Sequence, residues 1–299
     1  MAETPQKIGA APGRLGRRRT REARPHRSYR VRPLLWISLV ILAFFLVAAL
    51  WPNLLAPGDP LATDPLTGMS APSGAHILGT DESGRDIYTR IIHGTSASLL
   101  MGLAATAIGM GLGLILGTAA ALGPRWLDEA IARVLEVGFA FPGILLALLV
   151  IAVWGPGVLT TTIAVGLSSA PGYARILRST MLAVRTSPYV EQDIIMGRSW
   201  WHRLVHTVVP NTVAPLFSMA TLGLGQSIIW ASALSFLGLG TPPPSPEWGA
   251  MLSAGRDYLL TGAWWLTLCP GLAILIVALA ATGLGRSIQA RTRTAGGAA

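Results

Sequence analysis

Residues 137–174 read VGFAFPGILLALLVIAVWGPGVLTTTIAVGLSSAPGYA and contain no aspartate, glutamate, lysine or arginine. A helix crosses the hydrocarbon core of a bilayer with about 20 residues, so this stretch is too long for one straight span. Gly155-Pro156-Gly157 lies near its middle, and such a tripeptide favours a turn. We therefore predict two transmembrane helices joined by a tight turn.

Four further apolar stretches flank this pair. They cover residues 34–50, 99–122, 212–237 and 264–284, and each has roughly the length of a membrane span. Because lipid offers no hydrogen-bond partner to an open backbone, helices are the expected form of such spans. The sequence thus predicts an all-α integral membrane protein with six transmembrane helices.

The distribution of charge predicts the orientation of these spans. Residues 1–33 carry ten basic and two acidic side chains, which gives a net charge of +8. If this end is cytoplasmic, the inner segments 125–133, 175–203 and 286–299 carry 0, +3 and +3, and the outer segments 59–90 and 247–257 carry −3 and −1. Positive segments favour the cytoplasmic side, so we expect both termini there. The first apolar run is expected to be a retained helix, since no clear signal-peptide cleavage site follows it.

The composition indicates lipid as the main environment. Hydrophobic residues make up 52% of the chain and charged residues only 12%, with a mean hydropathy of +0.53. The net charge of +9 does not predict nucleic-acid binding. Its basic block directly precedes an apolar run, which is typical of a tail beside an anionic membrane leaflet.

We predict no catalytic residue, no metal site and no cofactor in this chain. A P-loop needs lysine followed by serine or threonine, but the only lysine, Lys7, precedes Ile8. The five histidines form no HExxH pair, and Cys269 is the only cysteine. Span centres without ionisable residues also disfavour an ion-coupled carrier. Any ATP hydrolysis must therefore come from another polypeptide.

The candidate functional site is the loop of residues 187–211 between the fourth and fifth spans. Pro188 favours the start of a helix, Gly197 a break between two short helices, and Pro210 the entry to the fifth span. Two such helices would form a rigid protrusion on the cytoplasmic face.

An apolar edge is predicted on this protrusion. It consists of Trp200, Trp201 and Leu204. Aromatic residues on a surface suit a docked protein, but tryptophan is also common at the membrane interface. The residues alone leave both interpretations open.

The same loop resembles the EAA motif, E-A-A-x3-G-x9-I-x-L-P, in permeases of the dipeptide/oligopeptide/nickel ABC importer family. Glu191, Gly197 and Pro210 match this motif in identity and spacing. The chain departs from it at four positions, where Gln192 and Asp193 replace the two alanines, Thr207 the isoleucine and Val209 the leucine. In the family the alanines lie where the short helix packs tightly, so these departures bear on the contact with the ATPase.

Two other segments are similar to the family's C-type subunits. Residues 76–86, HILGTDESGRD, resemble the segment before the second span, and residues 232–240, SALSFLGLG, resemble the signature after the fifth span. The likeness covers about residues 76–285. Gly283-Leu284-Gly285-Arg286 departs from the G-D-x-L-R-D that the family usually has there.

The resemblance implies a type I ABC importer permease fold in the bacterial inner membrane. It implies as partners a second homologous permease, two cytoplasmic ATPase subunits and an extracytoplasmic solute-binding protein. Coupling to the ATPase would then involve Glu191, Gly197, Trp200, Trp201, Leu204 and Pro210. The cargo (peptide, nickel or a related small solute) and the path-lining residues stay open. A membrane channel or scaffold without an ATPase partner is the alternative.

The predicted organisation has five parts. They are a cytoplasmic tail (1–33), the first transmembrane helix (34–51), an extracytoplasmic segment with an amphipathic helix (52–97), the permease domain with five helices (98–286) and a second tail (287–299). Within the second span, Gly109, Gly113 and Gly117 share one helix face, and this pattern predicts close approach of another helix.

Overall fold

The computed structural model describes residues 31–185 and 187–296. Residues 1–30 of the predicted basic tail and 297–299 of the predicted second tail lie outside the described residues. The helices are α1 (Val31–Leu50), α2 (Pro52–Leu55), α3 (Ile87–Leu122), α4 (Arg125–Ala140), α5 (Gly143–Trp154), α6 (Val158–Arg185), α7 (Pro188–Ile195), α8 (Trp200–Arg203), α9 (Val209–Phe236), α10 (Trp248–Gly255) and α11 (Trp265–Gly296). A π-helical turn, Leu204–Val208, precedes α9, and 3-10 turns cover Pro65–Thr67 and Arg256–Thr261.

Four of the described helices are long and apolar enough to cross a bilayer. The qualifying segments are Pro33–Leu50 in α1, Ile87–Leu122 in α3, Ser218–Phe236 in α9 and Trp265–Ala290 in α11. Helices α4 and α5 together add at most a fifth, as one bent pair. The described structure therefore supports four or five spans, and the prediction of six is not confirmed. The cytoplasmic location of both termini stays a prediction.

The first half of the stretch 137–174 partly explains why the described structure supports fewer spans than the six predicted. Phe141 precedes Pro142 and adopts an extended backbone, so α4 ends at Ala140 and α5 starts in a new direction, bent by 93°. Because α5 has 12 residues, it is about 18 Å long and falls short of the roughly 30 Å core.

The second half of the stretch forms the start of α6. The predicted turn is confirmed, since α5 ends at Trp154 and Gly155 and Gly157 both have positive φ angles. With 28 residues α6 is long enough to span, but Arg175 and Arg178 lie in its second half. These charges lower the apolar character of the helix as a whole.

Two predicted boundaries fall inside helices. Helix α3 runs unbroken for 36 residues from Ile87, so the boundary at 97/98 lies within it. The residues predicted to form a separate amphipathic helix are instead its first turns, where Ile87, Ile91 and Ile92 are buried. Ile87 and Ile91 are buried against residues of α10 and α11, and Ile92 is buried against Ala48 of α1 and Ala56. The boundary at 287 likewise lies within α11, which continues to Gly296.

A seam of small residues joins α3 to α6. A Cβ atom at Gly113 would lie 2.5 Å from the Cβ of Tyr173, and one at Gly117 would lie 2.9 Å from the Cβ of Leu177. A Cβ atom at Gly109 would likewise lie 2.8 Å from the carbonyl oxygen of Gly166. The close approach predicted from the glycine spacing is confirmed.

The largest buried cluster among the described residues lies where α3, α10 and α11 begin. Trp248 is fully buried at its centre and donates its indole N–H to the carbonyl of Ile91 at 3.0 Å. Phe45 of α1 packs edge-on against this indole, with ring centroids 5.6 Å apart. Through this cluster α1, α3, α10 and α11 are held together.

Candidate functional site

The first part of the loop is helix α7. It begins at Pro188, where a missing N–H is tolerated, and the hydroxyl of Ser187 donates to the carbonyl of Val184 at 2.6 Å. Glu191 lies in the first turn, where a carboxylate interacts favourably with the helix dipole. Its side chain is exposed, whereas that of Val190 is buried.

Gly197 ends α7 in a left-handed conformation with φ of +69°. The amide of Arg198 donates to the carbonyl of Asp193 at 3.0 Å, and the amide of Gly197 donates to the carbonyl of Ile194 at 3.0 Å. These two bonds form a Schellman motif, which favours glycine at this position. Ser199 then caps α8, with its hydroxyl accepting from the amide of His202 at 3.3 Å. The predicted break between two short helices is confirmed.

An apolar surface is exposed around this turn. We call it the coupling face and define it by Ile194, Ile195, Met196, Trp200 and Trp201, all of them exposed. Ile195 is 84% exposed and Trp201 68%, and the two tryptophan rings pack edge to face at 4.8 Å. Contiguous exposed apolar residues of this kind are typical of interaction surfaces.

Below the coupling face, Asp193 connects three parts of the loop. Its side chain is buried, and one carboxylate oxygen pairs with the guanidinium of Arg198 at 3.0 Å. The other oxygen accepts a hydrogen bond from the hydroxyl of Thr207 in the π-helical turn. Sequence reasoning noted both Asp193 and Thr207 as departures from the motif but did not pair them. The polar character of both departures was the one sequence signal that could have suggested this pairing.

The residues predicted to take part in coupling differ in their exposure and in their place within the loop. Glu191, Trp200 and Trp201 are exposed, and Gly197 forms the turn between the two short helices. Leu204 begins the π-helical turn and Pro210 lies in the first turn of α9, but their side chains lie outside the described part of the chain.

Residues 76–86 form a compact structure at the start of α3. The carboxylate of Asp81 accepts from the amides of Ser83 and Arg85, both at 2.9 Å, and lies 3.7 Å from the buried guanidinium of Arg90. Asp86 caps α3 by accepting from the amide of Thr89 at 2.8 Å. These polar groups are engaged with the chain itself, which gives this motif a structural role.

Among the described residues, the polar side chains within the spans form no assembled binding site. Ser168 and Ser169 donate to carbonyls three residues earlier in their own helix. Ser227 accepts from the hydroxyl of Thr106 at 3.0 Å and so links α9 to α3. Gln226 is exposed at the middle of the α9 span, beside a cavity of about 260 Å³ between α9 and α11.

Residues 109–294 match the family described as the binding-protein-dependent transport system inner membrane component. The chain belongs to this family. The match includes the loop 187–211 and most of the described helices. The permease is accordingly a multi-pass protein of the bacterial inner membrane and a subunit that is not itself catalytic.

Relatives agree with this assignment over most of the chain. The permease is 36% identical to the dipeptide transport system permease protein DppC of Alkalihalophilus pseudofirmus, over 85% of this chain and 83% of the relative. It is 37% identical to the di/tripeptide transport system permease protein DppC of Pseudomonas aeruginosa, over 84% and 85%. The glutathione transport system permease protein GsiD of Pectobacterium atrosepticum is 40% identical, over 73% and 72%.

A solved structure has the same fold. An inward-facing form of the MetNI methionine ABC transporter contains a chain that superposes with a TM-score of 0.54 at 18% identity, covering 68% of this permease and 97% of that chain. The type I importer permease fold expected from the sequence thus has a structural counterpart.

Proposed function

We propose that this permease forms half of the translocation path of an importer that moves peptides or peptide-like solutes at the expense of ATP. The observation that carries this proposal is the coupling face, which exposes two isoleucines and two tryptophans on the loop that resembles the EAA motif. The relatives bearing the names dipeptide, di/tripeptide and glutathione transport permease support a peptide-like cargo.

The expected partners follow from the family. A second homologous permease would complete the path, two cytoplasmic ATPase subunits would bind the coupling faces, and an extracytoplasmic solute-binding protein would deliver the cargo. In this arrangement the loop 187–211 is cytoplasmic, both termini are cytoplasmic, and α6 together with the bent pair α4–α5 completes six spans.

The mechanism requires the loop to move as a unit with the spans. Closure of the ATPase subunits on ATP would draw the two coupling faces together, and the loop would transmit this displacement to α9, which begins directly after the π-helical turn. Coupling of this kind needs a packed element with two arrangements that both sites bias. The short helices α7 and α8 with their ordered turn suit that role.

Purification of the tagged permease from its native membranes tests the proposal. We expect a second permease and two ATPase subunits to co-purify, and the complex with its binding protein to accumulate a labelled dipeptide in proteoliposomes only when ATP is supplied. Uptake of nickel ions is measured in the same assay, because nickel is the competing candidate for the cargo. A permease that purifies alone and passes solutes without ATP would overturn the proposal in favour of a channel.

A further inference from the structure

A buried carboxylate joins the coupling face to the fifth predicted span. Asp193 lies in the last turn of α7, and its side chain is only 7% exposed. The carboxylate accepts a hydrogen bond from the hydroxyl of Thr207, which lies two residues before α9 begins at Val209. The bond therefore connects the two ends of the loop directly across space, without passing through α8.

We infer that Asp193 is a positioning residue of the coupling loop, which holds α7 rigidly on the entry to α9 through Thr207 and Arg198. The inference rests on the proposed function, because it names the contact through which displacement of the coupling face reaches the membrane. In the family motif these two positions are alanine and isoleucine, an apolar pair. Here a polar pair replaces both members at once.

The physical argument is that the buried carboxylate of Asp193 depends on both of its partners. A buried carboxylate is unfavourable unless its oxygens are paired, and Asp193 uses one oxygen for Thr207 and the other for Arg198. Removing only Asp193 breaks the link between α7 and the π-helical turn, and removing only Thr207 takes one of its two partners from a buried carboxylate. Replacing both restores an apolar contact of the motif type, so the two changes are not expected to be additive.

A double-mutant cycle tests this inference in the assembled complex. The variants are Asp193→Ala, Thr207→Ile and the combination of the two, and the readouts are complex yield, ATPase rate and peptide uptake. We expect each single change to lower the uptake per ATP hydrolysed by about tenfold, with the complex still assembled. The double variant is expected to recover most of the wild-type ratio, a rescue that general destabilisation of the loop would not produce.

Gln192→Ala is the matched control. Gln192 is the neighbouring departure from the motif, its side chain is exposed, and alanine is the residue that the motif itself has there, so wild-type coupling is expected. Asp193→Asn keeps an acceptor for the hydroxyl of Thr207. Its uptake per ATP hydrolysed is expected to lie between the values of wild type and Asp193→Ala. Additive losses in the double variant, or wild-type coupling in Asp193→Ala, would overturn the inference. If the wild-type complex shows no ATP-dependent uptake at all, the proposed function itself fails.

Discussion

Glu247 and Ser98 form a buried hydrogen bond that ties α10 to α3. The hydroxyl of Ser98 donates to a carboxylate oxygen of Glu247 at 3.3 Å and accepts from the amide of Trp248 at 3.1 Å. Glu247 is 1% exposed and also caps α10 by accepting from the amides of Gly249 and Ala250. One carboxylate thus satisfies three donors where α10 meets α3.

Loss of this carboxylate is predicted to destabilise the permease. Glu247→Ala leaves two amides and a hydroxyl without an acceptor in a buried place, which lowers the free energy of unfolding by about 2 kcal/mol. Thermal denaturation in detergent measures the effect. Asp257→Ala is the control, because Asp257 is 72% exposed and its pair with Arg256 is a surface contact. Equal melting temperatures for Glu247→Ala and wild type would contradict the capping role.

The glycine seam between α3 and α6 gives a second prediction. Gly113→Ala places a Cβ atom 2.5 Å from the Cβ of Tyr173 and must push the helices apart, at a cost of about 1–3 kcal/mol. Gly111→Ala, two residues earlier, has nothing within 4 Å and is expected to be neutral or stabilising. Yield and thermal stability of the two purified variants provide the comparison. The seam account fails if both variants behave alike.

The predicted orientation can be tested because Cys269 is the only cysteine. In a Cys269→Ser background, Leu66→Cys and Met196→Cys add single thiols in the predicted outer segment and in the coupling face, where Leu66 is 96% and Met196 62% exposed. A membrane-impermeant maleimide is expected to label position 66 in spheroplasts and position 196 only in inside-out vesicles. The reverse pattern would place the coupling face outside the cell.

Gly197 gives a prediction about coupling. An L-residue in the left-handed conformation costs about 1–2 kcal/mol, but a Cβ atom at this position meets nothing within 4 Å. Gly197→Trp should therefore insert into the membrane normally while the altered turn lowers peptide uptake by about tenfold. Gly197→Asn, which tolerates this conformation, is expected to retain uptake. Equal uptake by Gly197→Trp and wild type would refute the assignment.

Local sequence signals predicted a large part of this structure. The end of α1 at Leu50, the turn at 155–157, the break at Gly197 and the seam at Gly113 each follow from residues that are adjacent or one helical turn apart. Backbone preferences of glycine and proline and the periodicity of the helix determine these features. For the same reason, Pro188 correctly indicated the start of α7.

The features that sequence reasoning missed depend on contacts or on competing signals. The bend at Phe141-Pro142 lies inside an uncharged run. The apolar character of this run predicted a continuous helix, although Pro142 favours a break. The contact between Asp193 and Thr207 joins residues 14 positions apart, and the motif alone did not show that they meet. The first turns of α3 bring Ile87 and Ile91 against α10 and α11, which lie far along the chain.

The most direct test of the account is to place a photo-crosslinking amino acid at Ile195, in the coupling face, in cells that express all the partner subunits. Ile77, which is 66% exposed in the outer segment, provides the control position. We predict a crosslink from position 195 to a nucleotide-binding subunit and no such crosslink from position 77. A crosslink from position 195 to an extracytoplasmic protein, or a nucleotide-binding subunit that never crosslinks there, would contradict the claim that ATP-driven motion enters the permease through this loop.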